Sequence, residues 1–326
     1  MIVEVLGFAA VKAFFKNELT RLFLFVILCL IIAAIFSPYV YSWGRAFGAG
    51  DGAEWLGSAK KSMAKADLAR YFNRVLMGAA IILLYPFIKT LKSDRKEIKA
   101  PFLVRLNPRW QGWKDMMVGF LYAMGYMGLF FLIVHKLGWI VIDTEASPSE
   151  AILEAITPAV IVSLIEEWLF RGVLFALLLR SLSARKTIIG LSLFFALVHF
   201  LKPYHGSEEI VDGGAAGAGF HLLAQIGERF IHIEDFIGVF TTLFVVGVVL
   251  AMARHKTGYL WMPIGLHAGW VFTLKVFQEL TDNTGTANPV LYGSDIREGA
   301  LPLLFVCLTG LAVWVYLRPK KSLLKP

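Results

Sequence analysis

Two adjacent carboxylates, Glu166 and Glu167, and one guanidinium, Arg171, stand in the middle of the apolar run 159–179. Two imidazoles, His199 in Phe194-Phe-Ala-Leu-Val-His199-Phe and His267 in Met262-Pro-Ile-Gly-Leu-His267, hold similar places in later apolar runs. A carboxylate beside an imidazole can take a proton from water and later deliver it to a leaving amine. At the centre of a bilayer each ionisable group is disfavoured by about 2.5–3.5 kcal/mol on insertion scales. Such groups pair, line a wet cavity or do chemistry. Together they predict a catalytic site inside a membrane. The plainer alternative is that the glutamates and histidines only join helices.

Glu167 and Arg171 are four residues apart, the spacing of an ion pair on one helical face. That pair is expected to be structural support. Glu166 is rotated about 100° around the helix and is the freer carboxylate. A shared site also needs its members at one depth, and each helical residue rises about 1.5 Å. Glu166 lies about 21 Å in from Arg180, His199 about 20 Å in from Lys186, and His267 about 16 Å in from Lys256. His205, His221 and His232, with Glu208 and Glu209, fall in a long loop and are expected to be solvated. His255 belongs to a basic turn, and Lys275 is expected to extend toward the interface.

These residues need long apolar elements to carry them. The chain has 326 residues, 57% hydrophobic and 17% charged. A soluble domain is nearer half apolar and a quarter charged. That balance excludes a soluble enzyme with one anchor and predicts an all-α, polytopic helical membrane bundle. A span needs about 20 apolar residues. About eight segments qualify: 21–42, 71–91, 116–136, 152–179, 187–202, 236–253, 258–278 and 299–317. The fifth is short and is expected to break near Pro203. Residues 1–18 are expected to lie on the membrane surface. Three regions follow: 1–149, with the surface helix and three spans; 150–280, the core; and 281–326, with the last span and a basic tail. Gly265 and Gly269 have the spacing of close helix packing. The Gly213–Gly219 run is expected to be flexible.

The net charge of +8 calls for no nucleic acid. Basic residues gather in cytoplasmic loops beside anionic lipid. With eight spans, Arg95, Lys96, Lys99, Arg105, Arg109, Arg180, Arg185, Lys186, Lys256, Lys320 and Lys321 all fall on one side, with Arg254 among them. Both termini are then expected in the cytoplasm, in what would be a bacterial plasma membrane. The mildly basic loop 43–70 fits this orientation less well. Cys29 and Cys307 lie in apolar segments and offer neither a disulfide framework nor a cysteine metal site.

Glu166-Glu167-x-x-x-Arg171, then Phe195-x-x-x-His199, then His267 resembles the CAAX protease and bacteriocin-processing family, which includes type II CAAX prenyl endopeptidases and immunity proteins. The resemblance covers about residues 150–280. It implies an intramembrane endopeptidase with Glu166 and His199 activating a water and His267 holding the oxyanion. Glu167, Arg171, Phe195 and Trp270 would support them. The substrate would be a membrane-embedded or lipidated peptide or protein. Many members have an asparagine four residues after the third-motif histidine. Here Val271 stands there, so the Trp270 indole or a backbone N–H is expected to substitute. Direct water activation without a cofactor is favoured. Zinc on Glu166, His199 and His267, with an open fourth position, is the alternative. A non-catalytic binding or immunity protein also stays open, as does a proton-coupled transporter.

Overall fold

A computed structural model describes residues 18–50, 60, 63–92, 110–180, 182–201, 213–230, 234–293 and 298–318. The expected surface stretch, Pro203, the Arg95–Arg109 connector, Lys320 and Lys321 fall outside them. The chain is all-α apart from a two-stranded ladder. Its helices are α1 (Glu18–Ala49), α2 (Leu68–Lys92), α3 (Trp110–Lys136), α4 (Pro148–Glu167), α5 (Phe175–Leu178), α6 (Ala184–Val198), α7 (Ala218–Arg229), α8 (Glu234–Thr257), α9 (Trp261–Leu280) and α10 (Ala300–Leu317). A π-helical segment, Trp168–Leu174, joins α4 to α5 without a break. Strands β1 (Ile140–Ile142) and β2 (Thr281–Asn283) pair antiparallel and tie the end of α3 to the end of α9.

The chain divides into two compact units. The first comprises Met1–Ile98 and Phe200–His232. There α1 packs on α2 and α7 around Ala33, Ala34, Leu68, Phe72, Leu222 and Ile226. Helix α7 corrects the expectation of a flexible glycine run. Gly213 is buried against Tyr41 and Leu68, and Gly217, at φ 115°, turns the chain into the helix. The spacing of Ala218, Leu222 and Ile226 marks its buried face. The glycines ahead of it hide the signal.

The second unit, Lys99–His199 and Ile233–Pro326, holds Glu166, Glu167, Arg171, His199 and His267. Here α9 packs between α3 and α4, while α8 packs against α6 and α10. Small residues set the spacing. A Cβ on Gly269 would lie 2.6 Å from the Phe120 carbonyl, and one on Gly265 would overlap the Met116 carbonyl. On α3, a Cβ on Gly119 would lie 2.8 Å from the Met262 carbonyl. Real Cβ atoms do not approach so closely, so α3 and α9 meet backbone to backbone.

Helix α4 has a two-sided pattern. Ala151, Ala155, Ala159, Ser163 and Glu167, at four-residue spacing, form its buried stripe. Ile152, Leu153, Ile156, Val160, Ile161 and Leu164 point outward. An apolar outer face suits lipid, and small residues inside let backbones approach.

Among the described residues, five helices are long and apolar enough to cross a membrane: α1, α2, α3, α8 and α10. The chain is an integral membrane protein. The three segments that carry the polar residues fall outside that criterion for physical reasons. The α4 run is interrupted by Glu166, Glu167 and Arg171, and α9 carries His267, Lys275 and Glu279. Helix α6 has 15 residues, so it is about 22 Å long, short of the roughly 30 Å hydrocarbon core.

The α3–α9 seam gives a direct test. Gly265→Ala should destabilise the folded protein in detergent by about 1–3 kcal/mol, the usual cost of overpacking. Gly128→Ala, where an added Cβ meets nothing within 4 Å, should be neutral or slightly stabilising. Thermal unfolding of both variants checks the difference.

Candidate active site

The buried stripe of α4 ends at Glu167, where a carboxylate takes the place that alanine and serine hold above it. Glu167 and Arg171 are both 0% exposed. Arg171 Nη1 donates to Glu167 Oε1 at 2.8 Å, as the four-residue spacing predicts. The same oxygen accepts from His267 Nδ1 at 2.8 Å. One carboxylate oxygen therefore joins α4, the π segment and α9. The second contact is not legible in the sequence, because nothing in the chain says which face of α9 meets α4.

Arg171 has further partners. Its Nη2 donates to the Gly247 carbonyl on α8 at 3.4 Å. Its guanidinium lies over the Phe195 ring, 4.3 Å from the centroid, a cation–π arrangement. Gly247 also lets α8 approach α6, since a Cβ there would lie 2.9 Å from Ser192 Cα.

Phe195 organises the neighbouring residues. Its ring is 4.4 Å from the His199 ring and meets the His267 ring edge-on at 6.3 Å. Its backbone carbonyl accepts from His199 Nδ1 at 2.7 Å. A carbonyl only accepts, so the His199 proton is on Nδ1, and Nε2 of the neutral ring carries a lone pair. His199 is the C-cap of α6 and sits where that short helix stops.

Glu166 faces both imidazoles. Its Oε2 is 3.8 Å from His199 Nε2 and 4.0 Å from His267 Nε2. That oxygen is buried and has no hydrogen-bond partner among the described residues. The Glu166 and His199 side chains as wholes are 21% and 20% exposed. Both separations are too long for a direct hydrogen bond, and one water molecule can touch both groups across such a gap. Glu166, His199 and His267, from three different helical segments, are thus brought together.

Zinc matches these donors in type but not in spacing. Tetrahedral zinc with bonds of about 2.0–2.2 Å holds its donors roughly 3.3–3.6 Å apart. The separations here are wider, 3.8 and 4.0 Å. Among the described residues no group of three His, Cys, Asp or Glu side chains is placed to hold a metal.

The other candidates lie elsewhere. Trp270 packs in an apolar cluster with Ala123, Leu250, Ala253 and Met262, and no hydrogen bond among the described residues links it to the three site groups. Val271 is half-buried one turn beyond His267. Lys275 is exposed on α9, His221 is exposed on α7, and His255 is half-buried in α8. His205, His232, Glu208 and Glu209 lie outside the described residues.

A helical membrane bundle with buried carboxylates facing two imidazoles defines the class: an integral membrane protein with an intramembrane polar centre. Residues 148–273 match the model of the family described as type II CAAX prenyl endopeptidase Rce1-like. The matched stretch runs from the first residue of α4 to Thr273 in α9 and contains every member of the cluster. This segment is similar to that family. No curated protein and no solved structure matches the chain.

The ion pair makes its own prediction. Arg171→Met leaves Glu167 buried without its cation and should destabilise the protein by about 3–5 kcal/mol. The double variant Glu167→Gln/Arg171→Met should recover part of that loss, because neither member of the pair is then left as an uncompensated buried charge. Unfolding of the two single variants and the double variant checks the coupling.

Proposed function

We propose that this chain is an intramembrane endopeptidase that uses Glu166 and His199 to activate a water and hydrolyses a peptide bond in a membrane-associated or lipidated substrate. The observation that carries this reading is the buried Glu166 Oε2, with no hydrogen-bond partner among the described residues, 3.8 Å from His199 Nε2 and 4.0 Å from His267 Nε2. A water between Glu166 and His199 donates one hydrogen bond to the carboxylate and one to the Nε2 lone pair. Its oxygen is then free to attack the substrate carbonyl. The new C–O bond forms as the carbonyl π pair moves onto oxygen, and the water proton passes to Glu166. When the C–N bond breaks, Glu166 returns that proton to the leaving amine.

His267 is the group we assign to the oxyanion. Its Nδ1–H is committed to Glu167, so donation from Nε2 requires the imidazolium. A cationic donor held in place before negative charge develops is a strong form of transition-state stabilisation.

The reading needs no metal. It also has the basic ends of α5, α8 and α10 facing the cytoplasm, with the cut made toward that side of the bilayer. A second reading, a binding or immunity protein that holds a peptide in the same place, is favoured by Val271, which offers no side-chain donor where many relatives of this motif have one.

Purified protein in detergent or nanodiscs, presented with a membrane-peptide library, separates the two. Glu166→Gln should keep its melting temperature and lose at least about 100-fold in cleavage rate, the contribution of a general base. A chelator should leave wild-type cleavage unchanged. Cleavage that survives Glu166→Gln overturns the role of Glu166. Peptide capture by wild type with no product supports the binding reading. Cleavage abolished by chelator and restored by zinc overturns the metal-free mechanism.

A further inference from the structure

We infer that Arg254 is a positioning residue for the site, holding the π segment that carries Arg171 against the turn that launches the helix carrying His267; the inference deepens the hydrolytic reading above and rests on it. By sequence position Arg254 belongs with the basic loop residues between α8 and α9. The structure buries it: it is 1% exposed, among the largest fully buried side chains of the chain.

Its bonds run in two directions. Arg254 Nε donates to the Arg171 carbonyl at 3.0 Å. Arg254 Nη1 donates to the Gly258 carbonyl in the α8–α9 turn. The first acceptor is available because of the π geometry. Phe175 N–H bonds the Phe170 carbonyl, one residue further back than in an α-helix. In an α-helix that N–H would have taken the Arg171 carbonyl. Arg254 supplies a donor to the carbonyl so passed over.

The second acceptor sits in a tight turn. Gly258 has φ 70° and bonds back to the Arg254 carbonyl at 2.9 Å. Thr257 is buried beside it, and its hydroxyl donates to the Ala253 carbonyl at 2.8 Å. Helix α9 begins three residues after Gly258. One guanidinium therefore bridges the backbone of the residue that holds Glu167 and the start of the helix that delivers His267. The two ends meet again at Glu167 Oε1, which closes a loop of contacts through Arg171, Arg254, α9 and His267. Both of these acceptors are backbone carbonyls, so Arg254 acts through backbone placement. A shift of about 1 Å in such a site costs on the order of 100-fold in rate.

Arg254→Lys and Arg254→Gln test the assignment, since each retains a donor but cannot reach both carbonyls. Three measurements apply: kcat and KM on a cleaved membrane peptide, melting temperature, and the imidazole 15N signals of His267, assigned by their loss in His267→Gln. The expected result is a kcat lowered by about 10–100-fold, KM within about twofold, a folded protein, and a shifted His267 Nδ1 signal. Wild-type kcat with an unchanged His267 signal in a folded variant overturns the inference. Loss of folding in both variants overturns it in favour of a purely structural role. If wild-type cleavage proves independent of Glu166, the hydrolytic reading fails separately. The His267 signal still decides whether Arg254 positions that ring.

Discussion

A single oxygen, Oε1 of Glu167, is the point on which the centre of this protein depends. It accepts at 2.8 Å from a guanidinium on its own helix and at 2.8 Å from an imidazole on another. In a bilayer interior a lone carboxylate is strongly disfavoured, and so is a lone guanidinium. Together they still need every remaining donor directed somewhere. Arg171 meets part of that need through the Gly247 carbonyl and the Phe195 face, while its Nε has no hydrogen-bond partner among the described residues. The result is a rigid charged cluster that fixes three helices relative to one another. Glu166, next along the chain, projects from this platform toward the imidazoles.

Such a cluster forms only where backbones come close. Alanine and serine on α4 bring it against α9, and the glycines of α9 bring that helix against α3. A glycine on α8, Gly247, brings that helix against Ser192 of α6, and its carbonyl accepts from Arg171. On α4 the large apolar side chains go outward, where lipid is their natural neighbour, and small residues line the face toward α9. Elsewhere large side chains such as Phe130, Phe195 and Leu250 fill the interior.

Much of this was legible in the chain. The helical class followed from composition, and the Glu167–Arg171 pair followed from spacing. Depth counting brought Glu166, His199 and His267 to one level, because helical rise is constant enough to measure by residue number. What spacing could not supply was rotation. The bond from His267 to Glu167 depends on which face α9 turns to α4, and the burial of Arg254 depends on a carbonyl that only the π geometry exposes. Trp270 shows the same limit. Its indole was a natural candidate beside His267, but the helix turns it into an apolar cluster with Leu250 and Met262. Helix α7 was missed for a different reason: a glycine-rich lead-in reads as loop, although Gly213 is packed tightly and only Gly217 needs its positive φ.

The π segment has one more consequence. A widened turn advances the helix by one residue relative to an α-helical register, so side chains beyond it emerge about 100° away from where they would otherwise point. Ahead of the turn the helix shows a broad apolar flank to the outside, with Ile156, Val160 and Leu164 on it. Beyond the turn Phe170 to Leu178 are all enclosed. One continuous rod thus passes from a lipid-bathed regime to a protein-bathed one partway along its length. The two glutamates stand at that frontier, with hydrocarbon on one side and packed protein on the other.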